Sequence, residues 1–146
     1  MNADASNGPL SGMTIGKAAF FGDDRGGLNV IDIIKHAPFV PVRLFWLSDV
    51  PADRVRGGHA HKLCSQFMIC MAGTIRVDAF DGITRRSILL GQGEFINVVP
   101  GIYATETFLE ARSLLLVLCD RPFEAHDYID DEESLVSAAN SAAPAR

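Results

Sequence analysis

Short runs of β-branched, aliphatic and aromatic residues, cut again and again by turn formers, leave this chain few ways to fold. The runs are residues 42–47 (VRLFWL), 67–71 (FMICM), 74–80 (TIRVDAF), 87–90 (SILL), 95–99 (FINVV) and 114–118 (LLLVL). Between them stand Ala72-Gly73, Asp81-Gly82, Gly91-Gln92-Gly93 and Pro100-Gly101. Apolar runs this short, rich in strand formers and bounded by turn residues, read as strands. Asp81-Gly82 is the strongest hairpin signal, because both residues accept positive φ. Turn signals about ten residues apart predict an all-β jelly-roll barrel, with an open sandwich as the alternative. Only residues 131–139 (DEESLVSAA) have the pattern of a helix, and a short one.

Residues 1–12 (MNADASNGPLSG) and 137–146 (SAANSAAPAR) are small and polar and are expected to be flexible. Residues 13–136 read as a single domain. With 146 residues, 48% of them hydrophobic, the chain can fill one core. Thirteen Lys plus Arg against eighteen Asp plus Glu give a net charge of −5, which argues against nucleic acid as the main partner. A small anionic ligand needs only two or three arginines and stays open. No apolar run approaches the roughly 18 residues of a membrane span, and Met1-Asn2-Ala3-Asp4 does not open a signal peptide. Three cysteines without CxxC spacing make neither a zinc site nor a complete disulfide framework. A cytoplasmic protein is the expectation.

Two of the four histidines fall in Arg56-Gly57-Gly58-His59-Ala60-His61-Lys62. Residues at i and i+2 of a strand share a face, so both imidazoles should project into one space. Two surface histidines beside a glycine turn would be the plain alternative. A metal site would need a third ligand. Gln66 is a neutral amide, Glu94, Glu106 and Glu110 lie on later segments, and His126 is expected to be peripheral. No metal and no cofactor are therefore expected. Paired acid–base chemistry is the stronger reading, because histidine both takes and returns protons near neutrality. Proton movement on a carbonyl substrate needs a base at the acidic carbon and support for the enediolate. His59, His61 and Gln66 could supply these. Cys70 lies in an apolar strand and reads as core.

The run from Arg56 to Lys62, followed by Gln66 and Gly73, resembles the RGxHAHK…Q…G signature of the sugar-nucleotide 3,4-ketoisomerases, the WxcM-like cupin group. Asp24-Arg25-Gly26-Gly27-Leu28 resembles that family's early D-x-RG-x-L motif, one residue of spacing altered. Pro38-Phe39 with Arg43 is similar to the approach to its next strand, and Asp127-Tyr128-Ile129 to its closing DYI. The resemblance covers residues 14–133. It implies a cupin fold (a double-stranded β-helix barrel) without metal, in a homodimer that exchanges N-terminal strands. It also implies a keto group moved from C4 to C3 of a nucleotide-linked hexose through an enediol.

Carried over by position, His61 is the base at C3, His59 positions the sugar or the base, and Gln66 is a polar contact in the same pocket. Arg25 and Arg56 match family positions and suit pyrophosphate oxygens. Arg43 and Trp46 are further candidates to hold the substrate. Where the family has a Tyr pair this chain has Phe45-Trp46, and where it has P-x-x-W-H this chain has Pro100-Gly101-Ile102-Tyr103-Ala104. Tyr103 is the catalytic candidate in place of the missing histidine. These departures keep two alternatives open: a nucleotide-sugar-binding cupin without turnover, and a related epimerase.

Overall fold

The computed structural model describes residues 8–142. Expectations for residues 1–7 and 143–146 lie outside the described residues. In chain order the strands begin with β1 (Thr14–Lys17), β2 (Ala19–Asp23) and β3 (Gly26–Val30), followed by a single helical turn, α1 (Ile33–His36). Then come β4 (Arg43–Leu47), β5 (Arg54–His61), β6 (Gln66–Ala72), β7 (Thr74–Phe80) and β8 (Arg85–Gly91). The chain continues through β9 (Glu94–Val98), β10 (Tyr103–Phe108), β11 (Leu114–Cys119), β12 (Tyr128–Ile129) and helix α2 (Glu132–Ala142).

Two five-stranded antiparallel sheets, β1-β9-β6-β11-β4 and β12-β5-β10-β7-β8, face each other as a jelly roll. This is the all-β architecture the turn spacing predicts. The inner layer is built by strand alternation. Ile75, Val77 and Ala79 of β7 and Ile88 and Leu90 of β8 meet Met68 and Cys70 of β6, Ile96 of β9, and Leu115 and Val117 of β11. On β7 the alternate residues are half-buried, the signature of a sheet with one wetter face. On β6 both faces are buried. Phe67 and Ile69 turn outward beneath a cover made by Ile31, Ile33, Ala37 and Phe39 around α1. That second cover is why the β6 run is continuously apolar instead of alternating.

The Asp81-Gly82 hairpin forms, by a different device from the one expected. Phe80 pairs with Arg85, so the loop holds four residues, and only Gly82 has positive φ. Asp81 instead accepts hydrogen bonds from the Ile83 and Thr84 backbone N–H groups, at 2.8 and 2.7 Å, a turn closed by its own side chain.

The described parts of both end segments make contacts with the barrel or with regular structure. Leu10 is buried in the inner core and its carbonyl accepts from the Met13 N–H at 3.0 Å. The helix runs to Ala142, beyond the expected stop at Ala139. Asp131 caps it by accepting from the Ser134 N–H at 2.6 Å, Glu132 and Glu133 occupy its first turn, and alanines fill its interior. Its anchor is Leu135, buried against Ala60 and Ile129 with Phe80 and Tyr103 alongside. No helix among the described residues is long and apolar enough to cross a membrane.

The β2–β3 hairpin belongs to neither large sheet, and every one of its residues is exposed, including Phe20, Phe21, Leu28 and Val30. β1 pairs with β9 of its own chain.

If Leu135 holds α2 on the second sheet, Leu135→Ala should destabilise the fold by about 2–5 kcal/mol, the usual range for emptying a buried leucine site. Urea unfolding followed by circular dichroism measures it. An unchanged midpoint would mean the helix is not docked as described.

Candidate active site

Strand β5 carries the histidine pair, and a bulge in it decides what else shares their face. In its pairing with β10, Arg56 lies opposite Glu106, Gly57 opposite Thr105 and His59 opposite Ala104, so Gly58 is the extra residue. Arg56 and His59 are three positions apart and would face opposite ways on a regular strand. The extra residue resets the alternation, so that Arg56 and His59 line one cavity and His61 follows on the same face. Both glycines have positive φ, 77° and 84°, a conformation that side-chain-bearing residues adopt only with strain. A Cβ on Gly57 would also collide with the Glu106 carboxylate and lie 2.9 Å from the Ala104 carbonyl oxygen.

The cavity, about 180 Å³, lies between the two sheets and is lined by Arg56, Gly57, His59 and Glu106 from one side. Tyr128, on β12 beside β5, continues that wall; Phe45 and Gln66 face it from the other sheet, with Leu47, Met68, Leu115 and Val117 as the apolar floor. The His59 and His61 rings meet edge to face, centroids 5.0 Å apart. Tyr128 lies against both, at 4.8 and 4.6 Å.

His61 is the more deeply held of the two. Its Nδ1 stands 2.9 Å from Asp127 Oδ2. Asp127 also accepts from the Leu63 N–H at 2.7 Å and the Cys64 N–H at 3.2 Å. It therefore acts as an acceptor throughout, which assigns the proton of that contact to Nδ1. In the neutral ring the lone pair then resides on Nε2, and that atom is buried without a hydrogen-bond partner among the described residues. Burial works to raise the Asp127 carboxyl, but the hydrogen bonds from His61, Leu63 and Cys64 outweigh it and hold the group below its ordinary range. His59 is moved the other way from a charged state. Burial first, and His61 beside it second, push its pKa down.

Asp127 reaches the site because β12 pairs with β5, Tyr128 against His61 and Ile129 against Ala60. A 3₁₀ turn, Ala125–Asp127, delivers the carboxylate. Arg43 on β4 points inward, donating to Cys119 Sγ at 3.4 Å between the rings of Phe45 and Phe123. Gln66 Nε2 approaches the same sulfur at 3.8 Å. His61, Cys64 and Asp127 bring ligand atoms within 4.8 Å of one another, which suits a metal in number. The chemistry of the set is less suited, since the Asp127 oxygens already accept from three donors.

Within the single chain, not all of the expected site residues line this cavity. Tyr103 is not in the cavity. On β10 the even-numbered residues Ala104 and Glu106 face inward, so Tyr103 faces out and packs with Ala60, Ile129 and Leu135 under α2. Trp46 is likewise outward on β4 and 61% exposed, and its neighbour Phe45 takes the inner position. Arg25 sits at the tip of the β2–β3 hairpin, paired with Asp23 and not among the cavity residues. The structure brings together His59, His61, Arg56, Gln66 and Arg43. Sequence reasoning missed Asp127, Tyr128 and Glu106 as site residues. The first two belong to the Asp127-Tyr128-Ile129 motif, and Glu106 sits in a polar segment without a strand pattern of its own.

Over residues 11–140 the chain matches the family described as WxcM-like, C-terminal. The chain belongs to this WxcM-like family. A relative from Aneurinibacillus thermoaerophilus, a TDP-4-oxo-6-deoxy-alpha-D-glucose-3,4-oxoisomerase, is 30% identical over 108 residues, 73% of this chain and 78% of that protein. A 3,4-ketoisomerase from Helicobacter canadensis superposes with a TM-score of 0.81 at 26% identity, covering 88% of this chain and 98% of the other. A sugar 3,4-ketoisomerase from Thermoanaerobacterium thermosaccharolyticum, solved with TDP, gives a TM-score of 0.82 at 23% identity over 91% and 98% of the two chains. That last likeness is one of fold.

In this WxcM-like chain the Asp127 carboxylate is expected to be structural support as well as a partner for His61. Asn at that position has a single acceptor oxygen for three donors, so Asp127→Asn should lose about 1–3 kcal/mol at pH 7. A carboxyl depressed by folding stabilises above its unfolded pKa of about 3.9 and stops doing so as pH falls through the folded value. The unmutated chain should therefore weaken on acidification below about pH 4 more steeply than the variant. Urea midpoints across that range check both points, and equal midpoints at pH 7 would contradict the role.

Proposed function

We propose that the protein is a nucleotide-sugar 3,4-ketoisomerase that moves the keto group of a dTDP-4-keto-6-deoxyhexose from C4 to C3 through an enediol. One observation carries this reading: the His61–Asp127 pair, with Nδ1 engaged and Nε2 buried without a partner among the described residues, its ring packed against His59 and Tyr128 of the cavity wall. The activity of the Aneurinibacillus relative and the TDP bound by the Thermoanaerobacterium protein support the substrate class.

In the reaction, His61 Nε2 takes the C3 proton and the electron pair of that C–H bond becomes the C3–C4 double bond. Asp127 keeps the ring in its orientation and steadies the imidazolium that results. The same nitrogen returns the proton to C4, which leaves the carbonyl at C3. His59, held neutral by burial and by its neighbour, contacts the sugar without placing a second positive charge beside the imidazolium. Gln66 offers an amide to the sugar hydroxyls. Arg43 and Arg56 supply guanidinium groups for the pyrophosphate. No step requires a metal.

The exposed apolar hairpin β2–β3 supports a homodimer in which N-terminal strands lie on the partner subunit, since four large apolar side chains there have no cover within the chain. Three free cysteines suit a reducing compartment, and the cytoplasm is the proposed location.

Incubation with dTDP-4-keto-6-deoxyglucose, followed by NMR of the product, tests the activity. In deuterated buffer an isomerase washes label into the sugar ring, whereas a binder without turnover leaves it unlabelled. His61→Asn should lower turnover about 10²–10⁴-fold with little change in calorimetric binding of dTDP. Full turnover in that variant would remove His61 as the base. Dialysis against a chelator should leave the rate unchanged, and a rate restored only by added metal would overturn the mechanism. Sedimentation at micromolar concentration should give a dimer, and a monomer would contradict the proposed assembly.

A further inference from the structure

Among the described residues Glu106 is the one carboxyl lining the cavity, and none of their contacts accounts for its presence. Its side chain is buried, on the inward face of β10, across from Arg56. No group among the described residues hydrogen-bonds its carboxyl, and no cation stands within ion-pair distance. Its neighbours across the cavity are Phe45, Gln66, Met68, Leu115 and Val117, and Tyr128 lines the cavity from its own sheet. On its own sheet Val77 flanks it from β7 and the β5 bulge from the other side. Room for it exists only because Gly57 has no Cβ. A buried acid that is neither paired nor hydrogen-bonded costs stability, and such groups gather where they act on a ligand.

We infer that Glu106 is a catalytic residue which carries the oxygen protons of the reaction while His61 carries the carbon proton; the role rests on the ketoisomerase reading. A carboxylic acid holds a donor and an acceptor on one carbon, which matches two vicinal sugar oxygens. As His61 removes the C3 proton, the Glu106 O–H gives its proton to O4, which takes up the C4=O π pair. Glu106 then accepts the O3–H proton on its other oxygen. The O3–H bonding pair becomes the C3=O3 π bond, and the enediol double bond takes the His61 proton at C4. Both groups end as they began.

The environment favours the acid form that this requires. Burial pushes the Glu106 carboxyl up to about 8, with the Arg56 charge working in the opposite direction. The titratable groups facing the site besides Arg56 are His59 and Tyr128.

Glu106→Gln in the full chain is the test, because an amide can donate to O4 but cannot take the proton from O3. Isomerisation should fall about 10²–10⁴-fold, while deuterium exchange at C3 persists and dTDP still binds. The fall in unmutated turnover above pH about 8 should vanish from the residual activity. Stability supplies a readout that a structural role would not move in the same direction. An acid whose pKa is raised by folding loses stability as pH climbs from its unfolded value to its folded one. Glu106→Gln should therefore unfold at higher urea than the unmutated chain at pH 8. Normal isomerisation by the variant would overturn the role, as would equal loss of exchange and isomerisation with a lower urea midpoint. No turnover by the unmutated chain would overturn the ketoisomerase reading itself, and the role with it.

Discussion

Arg56, His59, His61 and Glu106 are positioned by the register between β5 and β10, and that register turns on one extra glycine. Upstream of Gly58, Arg56 faces in; downstream, His59 and His61 face in. A strand without the bulge would put either the arginine or the histidines on the outer sheet face, because one residue of slip inverts the whole set. The bulge also sharpens the bend of β5 and leaves Gly57 against the Glu106 carboxyl. The sheet thus gives up one regular pairing step to gather a cation, two imidazoles and a carboxyl in one small volume. β12 then pairs with the end of β5 beyond the bulge and brings Asp127 to His61. The order of dependence runs from the glycines to the histidines and only then to the carboxylate.

Polar groups in a barrel this small oppose its stability unless they are satisfied. Asp127 is satisfied three times over, by one ring nitrogen and two backbone N–H groups. His61 Nε2 is not satisfied and leaves a desolvation penalty of about 1–3 kcal/mol uncompensated, and the buried Glu106 side chain has no hydrogen-bond partner among the described residues. Fully buried Phe67, Phe108, Ile75, Leu90, Ile96 and Leu115 offset such penalties at about 1.5–3 kcal/mol each. The division is informative. Asp127, which holds the site together, has partners, whereas His61 Nε2 and the Glu106 carboxyl, proposed to move the protons, have none among the described residues.

The strands were legible because each depends on local pattern and on burial that the pattern reports. Residues 74–80 and 114–118 fall within β7 and β11 almost to the residue. β10 was not legible. Thr105, Glu106 and Thr107 dilute its apolar signal, and only the pairing with β5 and β7 makes it a strand. The same gap explains Tyr103. A motif gives a position along the chain, whereas facing comes from strand parity, and parity on β10 needs a register that no local feature announces. Trp46 fails for that reason on β4. The tail failed differently: its alanines favour helix in water only weakly, and Leu135 supplies the tertiary contact that makes the helix stay. The contact of His61 with Asp127 spans 66 residues, so neither residue could be read as the other's partner from spacing.

Burial acts on the two kinds of titratable group in this cavity with opposite signs and one result. It lowers the histidine and raises the carboxyl, so His59 and Glu106 are both driven towards their neutral forms. The fixed charges of the site are then the guanidinium groups of Arg56 and Arg43 and the paired carboxylate of Asp127. A nucleotide sugar has the complementary distribution, with charge on its phosphates and none on its hexose. Neutral groups beside the hexose can exchange protons with carbon and oxygen without first separating charge in a medium that screens it poorly. The arginines, in the proposed reading, would meet an anion whose charge they can match. Burial therefore sets which groups carry a proton, and in the proposed reading the full charges stay where the ligand would carry charge of its own.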